Sequence, residues 1–123
     1  MEIFIVEDSP AVRERLEAML SPLGHIAGHA AEADEAIRGI LAKHPDVVVL
    51  DLKLARGGSG FDVLRAIHEV EPGIDVYMLT NFASEAYRRL AVRLGARELF
   101  DKSFEFERVR DLIAKRPGRA SRS

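Results

Sequence analysis

Short runs of β-branched and aliphatic residues alternate with amphipathic stripes from the first residues to about residue 114, and this alternation constrains the fold more than any other feature of the sequence. Ile3 to Val6, Asp46 to Leu52 and Ile74 to Thr80 contain apolar runs of the kind that form strands buried on both faces; Ile26 to Ala30 and Glu98 to Asp101 are weaker candidates. Between them lie helical patterns. Val12, Leu16, Met19, Leu20 and Leu23 share one stripe, introduced by Ser9 as N-cap and Pro10 in the first turn. Ala33, Ala36, Ile37, Ile40 and Leu41 form a second, stopped by Pro45. Phe61, Leu64, Ile67 and Val70 form a third, opened by Ser59 and Asp62 at capping-box spacing. A fourth helix is expected from about Ser84 to Leu94, ended by Gly95, and a fifth from about Glu105 to Ala114.

Strands that alternate with helices imply a parallel sheet with right-handed crossovers and helices on both faces. For five strands the common doubly wound order is 2-1-3-4-5, and ligands then bind beyond the carboxyl ends of strands 1 and 3. A chain of 123 residues, 47% hydrophobic and 31% charged, is one domain with a core of its own. Cysteine is absent, which excludes thiol catalysis, Cys-ligated zinc and iron–sulfur clusters. No apolar run is long enough for a signal peptide or a membrane span, and the expectation is a cytoplasmic protein. Net charge is −2; Lys115, Arg116, Arg119 and Arg122 are the only charges after Asp111, so residues 1–111 carry −6. An acidic domain is a poor match for the phosphates of nucleic acid. The domain is expected to span 1–115, and the basic stretch 116–123 to be a disordered tail.

The expected strand ends carry the chemistry. Strand 1 ends in Glu7 and Asp8, strand 3 in Asp51, strand 4 in Thr80, and strand 5 runs into Lys102. Three carboxylates at the crevice would repel one another unless a cation intervened, and with Lys102 present a net −2 remains, which one Mg²⁺ would neutralise. A carboxylate directly after the apolar run Val47 to Leu50 needs a cation or a task. It can act as a nucleophile toward phosphorus, a reaction that depends mainly on positioning and charge neutralisation.

The segments Val6-Glu-Asp8, Val48-Val-Leu-Asp-Leu52, Gly57 to Leu64, Met78-Leu-Thr80, Gly95-Ala96 and Phe100-Asp-Lys102 together resemble the receiver domains of two-component response regulators, over essentially the whole chain. The resemblance implies a flavodoxin-like α/β fold and a stand-alone receiver, since no output domain fits in the residues after helix 5. It implies Asp51 as phospho-acceptor; Asp8 and Asp51 as direct Mg²⁺ ligands, Glu7 as a ligand through water and the Lys53 carbonyl as a further one; Lys102 as partner of the phosphoryl group; and Thr80 as the switch hydroxyl. It also implies a histidine kinase or histidine phosphotransfer protein as donor, and a protein target on helix 4, strand 5 and helix 5. Two positions depart from the pattern. Leu99 stands where many receivers have a Tyr or Phe that swings inward, and Ser103 where most have a Pro, often after a cis bond.

Singly, each site residue has an ordinary explanation: Asp8 can help start a helix, Lys102 can be a solvated loop residue, and Thr80 is a good strand former. Their joint order at four strand ends is what favours the site. His25 and His29 on one strand would stand about 13 Å apart, too far to share an ion, and His44 and His68 read as surface residues. Arg88, Arg89, Arg93 and Arg97 are expected on the wet face of helix 4, with an acidic partner as the alternative. Lys53 and Phe82, each two positions past a site residue, are expected to flank the phosphoryl group. Two other function classes are weighed: a phosphorylation-independent module that keeps the fold, and a Mg²⁺-dependent phosphatase, for which Asp51-Leu-Lys53 lacks the usual Asp-x-Asp pair.

Overall fold

The structure, a computed structural model, describes residues 1–116. Its elements run β1 (Glu2–Val6), α1 (Pro10–Leu20), β2 (His25–Ala30), α2 (Ala33–Lys43), β3 (Val47–Leu50), a 3-10 turn (Ala55–Gly57), α3 (Gly60–Val70), β4 (Asp75–Thr80), α4 (Glu85–Arg93), β5 (Glu98–Asp101) and α5 (Phe106–Lys115). All strand pairs are parallel and the order is β2-β1-β3-β4-β5, the doubly wound topology that the alternation implies. No helix among the described residues is long and apolar enough to cross a membrane.

The period of two along each strand divides the core. Phe4, Val6, Val48, Leu50, Val76, Met78 and Leu99 face one way and are buried against α2, α3 and α4. Ile3, Ile5, Val47, Val49, Tyr77, Leu79 and Phe100 face the other way, against α1 and α5. Both faces of the central strands are therefore dry, which is why these strands read as continuous apolar runs.

Local signals hold with small revisions. Ser9 caps α1 by accepting the Val12 amide, and Ser84 caps α4 by accepting that of Tyr87. Ser59 caps α3, but Asp62 does not complete a capping box; its carboxylate pairs with Arg65 one turn on. Gly95, with φ +114, ends the passage out of α4, where a Cβ would stand 2.5 Å from the His68 ring.

Two expectations about arginines are corrected. Arg97 lies beyond α4 and bonds Asp75 at the start of β4, and Arg88 turns from α4 onto β5. Arg88 reaches the Leu99 carbonyl on the edge strand β5, and Arg97 reaches the Asp75 carboxylate, which Arg116 also holds. Arg116, expected in the disordered tail, is anchored instead: its side chain is 7% exposed and donates twice to Asp75, at 3.0 and 2.8 Å. The rest of the expected tail, 117–123, lies outside the described residues.

Candidate phosphoryl-acceptor site

The carboxyl ends of β1, β3, β4 and β5 open on a cleft of about 600 Å³ lined by Glu7, Asp8, Asp51, Lys53, Phe82 and Lys102, among others. Parallel pairing places these residues together: Val6 is level with Leu50, Leu50 with Met78, and Thr80 with Asp101, so the residues that follow each strand emerge on one rim. Asp51 sits immediately after β3, its amide bonded to the Val6 carbonyl at 3.0 Å. Its Oδ1 accepts the Leu52 amide at 2.7 Å, which leaves Oδ2 toward Lys102.

Lys102 joins two carboxylates. Its Nζ lies 2.7 Å from Asp51 Oδ2 and 2.8 Å from Glu7 Oε1. Glu7 is only 2% exposed, and burial pushes its carboxyl above the usual range, although Lys102 and the Ser9 amide pull the other way. Burial draws the Lys102 ammonium down, but its bonds to Asp51 and Glu7 outweigh this and raise it. Asp8 is exposed, and one oxygen from each of Glu7, Asp8 and Asp51 can be chosen so that all lie within 4.8 Å of one another. A hard divalent ion suits such an all-oxygen set with one open side.

Thr80 is fully buried; its Oγ1 accepts the Phe82 amide at 3.2 Å, and its carbonyl accepts the Lys102 amide at 2.9 Å. Lys53 and Phe82 meet over the site, with the ammonium 4.0 Å from the ring centroid. Gly60 closes the loop from beneath: its amide donates to Leu52 O at 2.7 Å, and a Cβ there would be 2.1 Å from the Asp51 carbonyl oxygen. Glu7, Asp8, Asp51, Lys53, Phe82 and Lys102 line this cleft, whereas Thr80 lies buried at the end of β4, joined to the rim through the Phe82 and Lys102 amides.

At the two departures, the structure supplies other contacts. Leu99 is fully buried beside Met78 on the α4 side of the sheet. No cis peptide bond occurs among the described residues. The Ser103 amide donates to Asp101 Oδ1 at 2.7 Å and the Phe104 amide to the same oxygen at 3.1 Å, an Asx-type turn that needs the N–H a proline lacks. Sequence reading missed Asp101 in this role, although an Asp two residues before a loop amide is a signal for such a turn. It also missed Arg15, which lies over the Phe106 ring at 3.8 Å at the cleft wall.

The family model for the response regulator receiver domain matches residues 3–114. The chain belongs to this family. It is 27% identical to sporulation initiation phosphotransferase F of Bacillus subtilis over 114 residues, covering 93% of this chain and 91% of that protein. It is 25% identical to chemotaxis protein CheY of Thermotoga maritima, covering 92% and 94%. The crystal structure of a two-component response regulator of the LuxR family from Aurantimonas sp. SI85-9A1 superposes with a TM-score of 0.81 at 26% identity, covering 94% of this chain and 86% of that one. Several curated relatives are longer, and the chain spans 48% of one and 24% of another. Receiver domains generally bind Mg²⁺ at an acidic pocket, and Glu7, Asp8 and Asp51 form an acidic cluster in this receiver.

Proposed function

We propose that this receiver accepts a phosphoryl group on Asp51 from a phosphohistidine of a histidine kinase or phosphotransfer protein, and signals through altered binding to a protein target. The observation that carries the reading is the Lys102 ammonium held between Asp51 and Glu7 at 2.7 and 2.8 Å, beside an acceptor carboxylate open to the cleft. An Asp51 oxygen forms the new O–P bond as the P–N bond breaks, and the imidazole keeps the electron pair and takes up one proton. Water later attacks phosphorus, the O–P bond breaks, and inorganic phosphate and the Asp51 carboxylate are restored. Mg²⁺ held by Asp8, Asp51 and the Lys53 carbonyl, with Glu7 acting through water, would neutralise the charge on the transferring group.

The chain's own residues do the rest. Lys102 stays beside the phosphoryl oxygens, and the Thr80 hydroxyl turns its proton toward one of them. Lys53 and Phe82 limit the approach of water. Apart from its own phosphorylation and dephosphorylation the domain catalyses nothing. Output runs through α4, β5 and α5, in a cytoplasmic setting where the donor's phosphohistidine is exposed.

The test is intact mass after incubation with acetyl phosphate, with and without Mg²⁺, for wild type and Asp51→Asn. One phosphoryl gain that requires both Mg²⁺ and Asp51 is expected. Stoichiometric labelling of Asp51→Asn would overturn the assignment, and no labelling of folded wild type would favour a phosphorylation-independent module.

A further inference from the structure

β5 is the last strand of the sheet, so its outward backbone groups have no strand to pair with. Two of them are met by charged side chains. The Leu99 carbonyl accepts from Arg88 Nη1 at 2.7 Å, and the Asp101 amide donates to Glu105 Oε1 at 3.0 Å. These caps are themselves joined, because Arg88 Nη2 lies 2.7 Å from the same Glu105 oxygen, while Arg108 holds the other oxygen at 2.8 Å. Arg88 belongs to α4, Leu99 and Asp101 to β5, and Glu105 occupies the N-cap of α5, so one carboxylate ties three elements together. The side chains of Arg88 and Glu105 are 31% and 18% exposed, sheltered enough for charge-assisted bonds to count.

The clasp ends next to the phosphorylation site. Asp101 immediately precedes Lys102, and its carboxylate turns back onto the amides of Ser103 and Phe104. The backbone carrying Lys102 is therefore fixed on one side by Glu105 and on the other by the Asp101 turn. A lysine has a flexible four-carbon stem and no planar fork to orient it, so where Nζ rests depends on how firmly its backbone is held.

We propose that Glu105 is a positioning residue for Lys102, and that Arg88 makes this hold depend on α4. The inference rests on the reading of Asp51 as phospho-acceptor. It gives the acceptor site a route to α4 that needs no aromatic at position 99: what draws Arg88 off Glu105 alters phosphoryl transfer.

The test compares the rate of labelling by acetyl phosphate at saturating Mg²⁺ for wild type, Glu105→Ala, Glu105→Gln and Arg88→Ala, with Mg²⁺ affinity measured by calorimetry on the same samples. Glu105→Ala is expected to slow labelling about tenfold, less than the roughly hundredfold loss that a 1 Å misplacement can cause. Glu105→Gln, whose amide oxygen still accepts the Asp101 N–H, should recover most of the rate, and Arg88→Ala should fall between. Mg²⁺ should bind Glu105→Ala at least as tightly as wild type, since its carboxylates are untouched and Lys102 competes less. Equal rates in Glu105→Ala and wild type would overturn the proposal while leaving Asp51 as acceptor. So would a loss of Mg²⁺ affinity in step with the rate, or failure of Gln to rescue, because either signals general loosening. No labelling of folded wild type would overturn both readings.

Discussion

Replacing Lys102 by Met removes the ammonium that separates Glu7 from Asp51 and keeps most of the stem's bulk. At an effective dielectric of about 20, each of its contacts, at 2.7 and 2.8 Å, carries about 6 kcal/mol of Coulomb energy before desolvation is subtracted. Losing both without relief would consume most of the stability of a small domain, about 5–15 kcal/mol. Relief is at hand, because Glu7 can take up a proton. From its ordinary value of 4.5, placing a proton on Glu7 at pH 7 costs at most about 3.4 kcal/mol, at about 1.36 kcal/mol per pH unit.

The variant is therefore expected to be less stable than wild type by at most about 3 kcal/mol at pH 7, reduced by what the raised Glu7 of wild type already gives up there, and by at most about 1 kcal/mol at pH 5. Burial already raises the Glu7 carboxyl, and without Lys102 it rises further. A group whose folded pKa lies above its unfolded value stabilises fully below the unfolded value and loses that contribution as pH rises through the folded one. Lys102 is itself raised from 10.5, so its contribution in wild type fades only above that pH and stays constant in this window. Urea denaturation followed by circular dichroism at pH 5, 6 and 7, in chelator, measures the difference. A penalty that is the same at pH 5 and pH 7, or below about 0.5 kcal/mol at pH 7, would refute the assignment of Glu7 as the group that absorbs the change.

Asp75→Asn should cost about 2 kcal/mol at pH 7, mostly through Arg116, whose side chain is sheltered, because the Arg97 side chain is 66% exposed. Burial raises the Asp75 carboxyl, but Arg116 and Arg97 outweigh it and hold it below 3.8; the difference from wild type should persist from pH 7 to pH 5 and vanish as pH falls through the lowered value, as acid titration of the unfolding midpoint would reveal. Gly60→Ala should destabilise by about 3 kcal/mol, since its Cβ would meet the Asp51 carbonyl oxygen at 2.1 Å; a melting temperature equal to wild type would contradict the packing described. Lys53→Ala and Phe82→Ala should each speed loss of the phosphoryl group from Asp51 by opening the pair that covers it, measured as the decay of phosphorylated mass; unchanged rates would remove both residues from that role.

Much of this molecule was legible in the chain because its central strands are buried on both faces and its helices on one. Val47 to Leu50 announces a strand between two layers, and the Val12 to Leu23 stripe announces a helix against one of them, since each pattern follows from which neighbours exclude water. The polar residues that end such strands, Glu7, Asp8, Asp51 and Thr80, were legible for the same reason, and so was Lys102: parallel strands in a doubly wound sheet deliver their carboxyl ends to one rim. Which partners the charged surface residues take was decided only by the tertiary structure. Arg88, Arg97 and Arg116 look alike in sequence, yet one caps the edge of β5, one meets Asp75, and one closes on Asp75 from the end of α5, 41 positions away. A long cation finds its acceptor by reach, and what lies within reach depends on how β4, β5, α4 and α5 pack, not on the residues beside it in the chain.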